Sequence, residues 1–278
     1  MIETGEGRSL GSTRQIRNVT GNYQRLSDLY QDLIVRQPFF INCYALYDKL
    51  LDKLLKGKRY GKILDVGCGS GIQTVVLAGH ADEVTGIDIS EEFVNIARKK
   101  CEKLPNVRFR IENACRLPFA DDSFDGIVSY GDVISHIVVG YEQALAEMAR
   151  VVKPGGWITF EVDNKWNAGM LFVPEEFKDA LKASGKGHAT RKWQGMHFKT
   201  FTPAELKSLL DLNRLEILEW HGHNILASCI PDRWLLEEKR TLLGKLAIVL
   251  GKIDLLLSGI YPFNRFGFNH MLIVRKRA

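Results

Sequence analysis

Short apolar runs alternate along this chain with longer segments in which apolar residues return every third or fourth position. Near the start, Leu26, Leu29, Tyr30 and Leu33, then Leu46, Leu50 and Leu54, predict amphipathic helices over 23–35 and 41–55, separated around Pro38. The run Ile63, Leu64, Val66 reads as a buried strand, stopped by glycines before a helix over 72–78. Further strands are predicted at 83–87, 107–111, 124–129, 157–162, 215–220 and 270–275. Helices are predicted from Ser90 as N-cap to about Lys103, over 141–152, and from the Thr202-Pro203-Ala204-Glu205 capping box to Leu212. Strands and helices that alternate at this spacing imply right-handed crossovers, hence an α/β fold with a doubly wound, mostly parallel sheet.

Two stretches break the rhythm. Residues 164–200 scatter Trp166, His188, Trp193 and His197 among glycines and lysines, and are expected to form a lid or substrate segment. Residues 230–262 are rich in leucine. Residues 1–56 are therefore read as an N-terminal arm and helical cap, and 57–278 as the main domain with inserts at 164–200 and 230–262.

Composition narrows the class only a little. A net charge of +5 over 278 residues, with short basic clusters at 98–100 and 275–277, gives no strong nucleic-acid signal. Five cysteines without a CxxC pair suit free thiols in a reducing compartment, and the N-terminus has no apolar leader, so a cytoplasmic protein is expected. Lys245, Lys252 and Asp254 interrupt the stretch 242–260, making it poor material for a membrane-spanning helix.

The chemistry centres on the strand–turn–helix around Gly67, Gly69 and Gly71. Glycines allow positive φ and a close approach of backbone to a ligand, and the helix start offers free N–H groups. Asp88 closes the second strand, where its carboxylate can accept ribose hydroxyls. This fits any adenosine-containing cofactor, NAD included. A dinucleotide fingerprint would need glycine at position 72, where isoleucine stands, so NAD is the weaker reading.

Four segments in order resemble a class I S-adenosylmethionine-dependent methyltransferase, of the group that includes ubiquinone and menaquinone biosynthesis methyltransferases: Ile63 to Gly71, Gly86 to Ser90, Arg116 to Phe119 with Ser123 to Asp125, and Arg150 to Gly156. The resemblance implies a Rossmann-like seven-stranded sheet with a last antiparallel strand, and S-adenosylmethionine as cofactor. It implies that Gly67, Gly69 and Gly71 wrap the methionine end above Asp65, that Asp88 takes the ribose hydroxyls, and that Ile89 packs on adenine. Asn113, where the group usually has aspartate, would accept from the adenine amino group; Ala114 and Ser129 complete the implied cofactor set.

His136 is the candidate catalytic base or substrate contact, since the group often has histidine after the fourth strand. Asp163-Asn164 with Asp132 resembles the metal site of catechol-type enzymes, but the spacing is out of register, and no metal is expected. The expected acceptor is an O or C nucleophile on a small, apolar or aromatic molecule, with Trp166, Trp193, Trp220, Trp234 and Tyr261 as wall residues. A macromolecular acceptor, tRNA or protein, and a non-catalytic cofactor-binding subunit remain as alternatives. Residues 235–260 are the candidate contact for a peripheral membrane surface or a dimer partner.

Overall fold

The computed structural model describes residues 32–172, 177–178, 180–181, 189–193, 196–230 and 238–278. Most of the helix expected over 23–35 lies outside them, as do His188 and Trp234; residues 32–36 are helical.

After that turn of helix, the first elements in chain order are α1 (Pro38–Leu55), β1 (Tyr60–Val66), α2 (Ile72–Ala78), β2 (Ala81–Asp88), α3 (Glu91–Lys100) and β3 (Val107–Ile111). There follow β4 (Phe124–Ser129), α4 (Val133–His136), α5 (Tyr141–Val151) and β5 (Val152–Asp163). The hairpin β6 (Ala189–Trp193) and β7 (Met196–Thr200) leads to α6 (Pro203–Leu212), β8 (Leu215–His223), α7 (Leu242–Leu257) and β9 (Asn269–Lys276). The main sheet has seven strands in the order β3-β2-β1-β4-β5-β9-β8; β9 runs antiparallel to both neighbours and the other pairs are parallel. The order reverses between β1 and β4, and ligands bind at such a switch point, outside the carboxyl ends of the strands.

Local chemistry explains the helix ends. In α3 the Ser90 hydroxyl accepts from the Phe93 amide at 3.4 Å, and Glu91 and Glu92 open the helix while Arg98, Lys99 and Lys100 close it, matching the helix dipole. The helix ends at Lys100, three residues before the expected limit. At α6 the Thr202 hydroxyl accepts from the Glu205 amide at 3.2 Å, but the Glu205 side chain turns instead to the buried Lys199 ammonium at 2.7 Å. Residues 153–156, between the helix expected over 141–152 and the strand expected at 157–162, belong to β5, which reaches back to pair Val152 with Phe124 across a register shift.

Two apolar layers cover the sheet. One holds α5 and α6 against β4, β5 and β9, through Leu145, Met148, Leu206 and Leu210. The other is built largely by α1: Cys43, Leu46, Tyr47, Leu50, Leu51, Leu54 and Leu55 pack with Ile63, Val84, Trp157, Met271 and Ile273. The N-terminal helix thus shares the sheet's core, and it carries Tyr44 and Tyr47 to the switch point. Burial of side chains this size stabilises by about 1.5–3 kcal/mol each before entropy is counted.

Candidate active site

A cavity of about 400 Å³ opens at the carboxyl ends of β1, β2 and β4. Gly67, Cys68, Gly69 and Ser70 form its floor, Asp88, Ile89, Asn113 and Ala114 one side, and Tyr44, Tyr47, Tyr130, Gly131 and His136 the other.

The floor is set by backbone. Gly67 and Cys68 both donate to the Ile87 carbonyl, at 2.8 and 2.9 Å, which ties the turn to β2. Gly67 has φ +70, and a Cβ there would lie 2.2 Å from the Val133 side chain. Gly69 has φ +48, and a Cβ there would meet only open space; the groove in front of it is free for a ligand. Asp88 accepts from the Gly69 amide and from the Ser90 amide, both at 2.9 Å, one on each carboxylate oxygen. A carboxylate has about four lone-pair sites, so acceptor capacity remains on Asp88 beyond these amides. Burial raises the Asp88 carboxyl above the usual range while these amides counteract it.

Other expected site residues take different positions. Asp65 is buried behind the floor, off the cavity wall, where the Thr74 hydroxyl donates to it at 2.5 Å and burial lifts its carboxyl to about 7. Gly71 is the left-handed N-cap of α2, φ +78, also off the wall. Ser129 is fully buried beneath the cavity; at this level the wall is Tyr130 and Gly131. Asn113 lines the cavity, and its side-chain oxygen accepts from the Cys115 amide at 2.9 Å, which leaves one lone pair inward. His136 lines the wall and contacts Phe198 edge-on, with ring centroids 6.0 Å apart; burial lowers its imidazole to about 4, so it is neutral at physiological pH.

The aromatic wall differs from the tryptophans expected. Trp220 is core, its indole donating to His270 at 3.1 Å under the Arg265 guanidinium; Trp166 lies beside Lys165, and Tyr261 is on the surface. The wall tyrosines are Tyr44, Tyr47 and Tyr130, with Tyr47 stacked on Tyr130 at 4.5 Å. No described residue of 164–200 or 230–262 lines this cavity. Asp132 accepts from Asn269, the Asp163 amide donates to Ser135, and Asn164 staples the carbonyls of Trp166, Arg265 and Gly267.

Behind the tyrosines lies a buried polar chain that no sequence motif announced. The Tyr47 hydroxyl donates to Glu161, as does the Gly131 amide at 3.1 Å; His223 Nε2 meets the other carboxylate oxygen. Asn42 donates to the Asn224 side-chain oxygen at 3.0 Å, which orients the Asn224 amide so that its nitrogen donates to His223 Nδ1 at 3.1 Å. Nδ1 is therefore the acceptor, and Nε2 carries the proton toward Glu161. Cys43 lies 3.5 Å from the same Nδ1. Cys43, Glu161 and His223 offer ligand atoms within 4.8 Å of one another, but each is engaged in this hydrogen-bonded chain. The members come from α1, β5 and β8, so only folding brings them together.

Comparison with known proteins matches this geometry. Residues 63–156 match the methyltransferase domain family. A demethylmenaquinone methyltransferase of Staphylococcus aureus is 34% identical over 148 residues, 52% of this chain and 57% of that relative, so the chain spans little over half its length. A Haloferax volcanii chain solved in complex with the Trm112 methyltransferase activator superposes with a TM-score of 0.62 at 18% identity, covering 94% of this chain and 98% of that one. Geranyl diphosphate C-methyltransferase from Streptomyces coelicolor superposes with a TM-score of 0.55 at 15% identity, covering 84% and 79%. The glycine floor and Asp88 thus lie within a stretch, residues 63–156, that matches a methyltransferase domain, on a seven-stranded sheet of the order β3-β2-β1-β4-β5-β9-β8.

Proposed function

We propose that this protein transfers the methyl group of S-adenosylmethionine to an O or C nucleophile of a small, apolar or aromatic molecule. The reading rests on one observation: a glycine floor with Asp88 faces a wall of three tyrosines across a single cavity. Gly67 and Gly69 would hold the methionine end, Asp88 the ribose and Ile89 and Asn113 the adenine. Asp65, held by the Thr74 hydroxyl, would support the floor from behind. When bound, the cofactor supplies a sulfonium methyl already activated for transfer, so the chain's own task is to align the nucleophile and exclude water.

The tyrosine wall suits a flat or greasy acceptor. Tyr47, whose proton points to Glu161, keeps a lone pair for an acceptor hydroxyl. His136, neutral and at the wall, is the second group able to receive a proton. Two of the similar proteins are small-molecule methyltransferases by name, a demethylmenaquinone methyltransferase and a geranyl diphosphate C-methyltransferase, which supports this acceptor class.

The test is incubation with methyl-labelled cofactor and cell extract, followed by identification of the labelled product. A labelled small organic molecule is expected. Label confined to RNA or protein would replace the acceptor class, and no label in any fraction, with the cofactor bound, would leave a binding subunit.

A further inference from the structure

Helix α7 is amphipathic the wrong way round. Its inward face is small or polar: Gly244, Ala247, Gly251, Asp254 and Ser258 are all buried. Gly251 permits close contact with α1, since a Cβ there would lie 2.0 Å from the Asn42 side chain. Asp254 accepts the amides of Leu226 and Ala227 at 2.8 and 3.1 Å. Leu250 and Leu255 are half-buried against neighbouring apolar clusters, but a separate row of apolar residues faces outward. Leu242, Leu246, Val249, Ile253 and Leu256 fall within about 40° of one line along the helix surface at 100° per residue, and Ile260 follows just beyond the helix end. Each is at least 41% exposed, and Leu242 and Leu256 reach 84% and 75%. Tyr261, Phe263 and Phe266 extend the patch beyond the helix end. Monomeric proteins rarely leave so continuous an apolar stripe in water.

The charge around the stripe names its partner. Lys245 and Lys252 are exposed along one flank and no acidic residue of α7 faces outward; at the helix start Arg240 pairs with Glu238 at 3.7 Å and Lys239 donates to the Val35 carbonyl at 2.8 Å. Apolar residues flanked by lysines and ended by Tyr and Phe are the arrangement that seats a helix at a bilayer interface, the lysines meeting anionic headgroups. A second copy fits less well. The stripe spans little more than two heptads, short for a coiled-coil seam, and like-charged lysines on its flank give no complementary pairs. No helix among the described residues is long and apolar enough to cross a membrane, so the contact is one of lying on the surface.

We propose that α7 with the 260–266 turn docks the protein onto an anionic lipid surface, independently of the methyl-transfer reading. The experiment is co-sedimentation of the full chain with vesicles of equal parts phosphatidylglycerol and phosphatidylcholine, and with phosphatidylcholine alone. The wild type is expected to partition onto the anionic vesicles and to leave them at high salt. The Lys245→Gln/Lys252→Gln variant should bind about 30-fold more weakly, at about fivefold per lysine. Leu246→Glu/Val249→Glu/Ile253→Glu should lose binding altogether while keeping the wild-type circular dichroism spectrum and melting temperature, because these side chains are exposed. Three results would overturn the proposal: no wild-type binding, equal binding to both vesicles, or undiminished binding by the triple variant. So would a wild-type dimer in analytical ultracentrifugation that the triple variant abolishes, which would assign the stripe to a second copy. Titration of the same variants with S-adenosylmethionine separates this outcome from any failure of the methyl-transfer reading.

Discussion

The two walls of the cavity are built by different means. The cofactor wall is mostly backbone: the Gly67–Ser70 turn tied to Ile87, with Asp88 pinned by the Gly69 and Ser90 amides. The acceptor wall is mostly side chain: Tyr44 and Tyr47 from α1, Tyr130 after β4, and the buried Glu161, His223 and Asn224 behind them. A wall of backbone amides and one carboxylate holds a fixed ligand and tolerates little change. A wall of side chains on separate elements can be retuned one residue at a time, so the proposed acceptor would be specified there.

That contrast can be broken by mutation, and the cofactor wall should break hardest. Gly67→Ala meets both a positive φ and the Val133 contact, so it should destabilise the fold by about 2–4 kcal/mol and abolish cofactor binding, read by thermal melting and titration. On the other wall, Tyr47→Phe removes one donor to Glu161. Turnover of the identified acceptor should fall about 100-fold, the lower range for loss of a proton-handling group, with cofactor affinity unchanged. A Tyr47→Phe enzyme of normal turnover would reduce that hydroxyl to an anchor for α1. His136→Gln should cost less, about tenfold in turnover, when the acceptor's proton passes to Tyr47 as Tyr47 hands its own proton to Glu161. Neutral above about pH 4, His136 should also leave no inflection near pH 6.5 in the turnover profile.

The mildest effect is one of pH on stability. Burial raises Asp65 to about 7, above its value of about 3.9 in an unfolded chain, so the folded state holds the proton more tightly. Its contribution to stability is complete below about pH 4 and is lost as pH rises toward 7. Melting curves of Asp65→Asn should lack that part of the decline, and an unchanged decline would show that another group causes it.

The same contrast explains what could be read in the sequence. The turn and Asp88 sit within two short segments whose spacing joins them, and the family resemblance adds Ile89. Apolar runs alternating with helical periods imply the α/β class with a mostly parallel sheet, while the insertion of β9 between β5 and β8 is seen only in the structure. Tyr47, Glu161 and His223 are far apart in sequence, and each looks ordinary where it stands: a tyrosine on an amphipathic helix, a glutamate inside a strand, a histidine at a strand end. The one available signal was Glu161 itself, a charged residue in the otherwise apolar run 157–162, which calls for buried partners. The tryptophans misled because size alone does not distinguish a pocket wall from a core. In α7, leucines at helical spacing were legible, but which face turns inward depended on Gly251 and Asn42 meeting across two elements.

The central claim is that the backbone wall binds S-adenosylmethionine through Asp88 independently of the tyrosine wall. Isothermal titration of S-adenosylmethionine into wild type, Asp88→Ala and Tyr47→Phe tests it most directly. Loss of hydrogen bonds to a charged group predicts about 100-fold weaker binding for Asp88→Ala and wild-type affinity for Tyr47→Phe. Equal affinity in wild type and Asp88→Ala, or no binding by the wild type, would contradict the account.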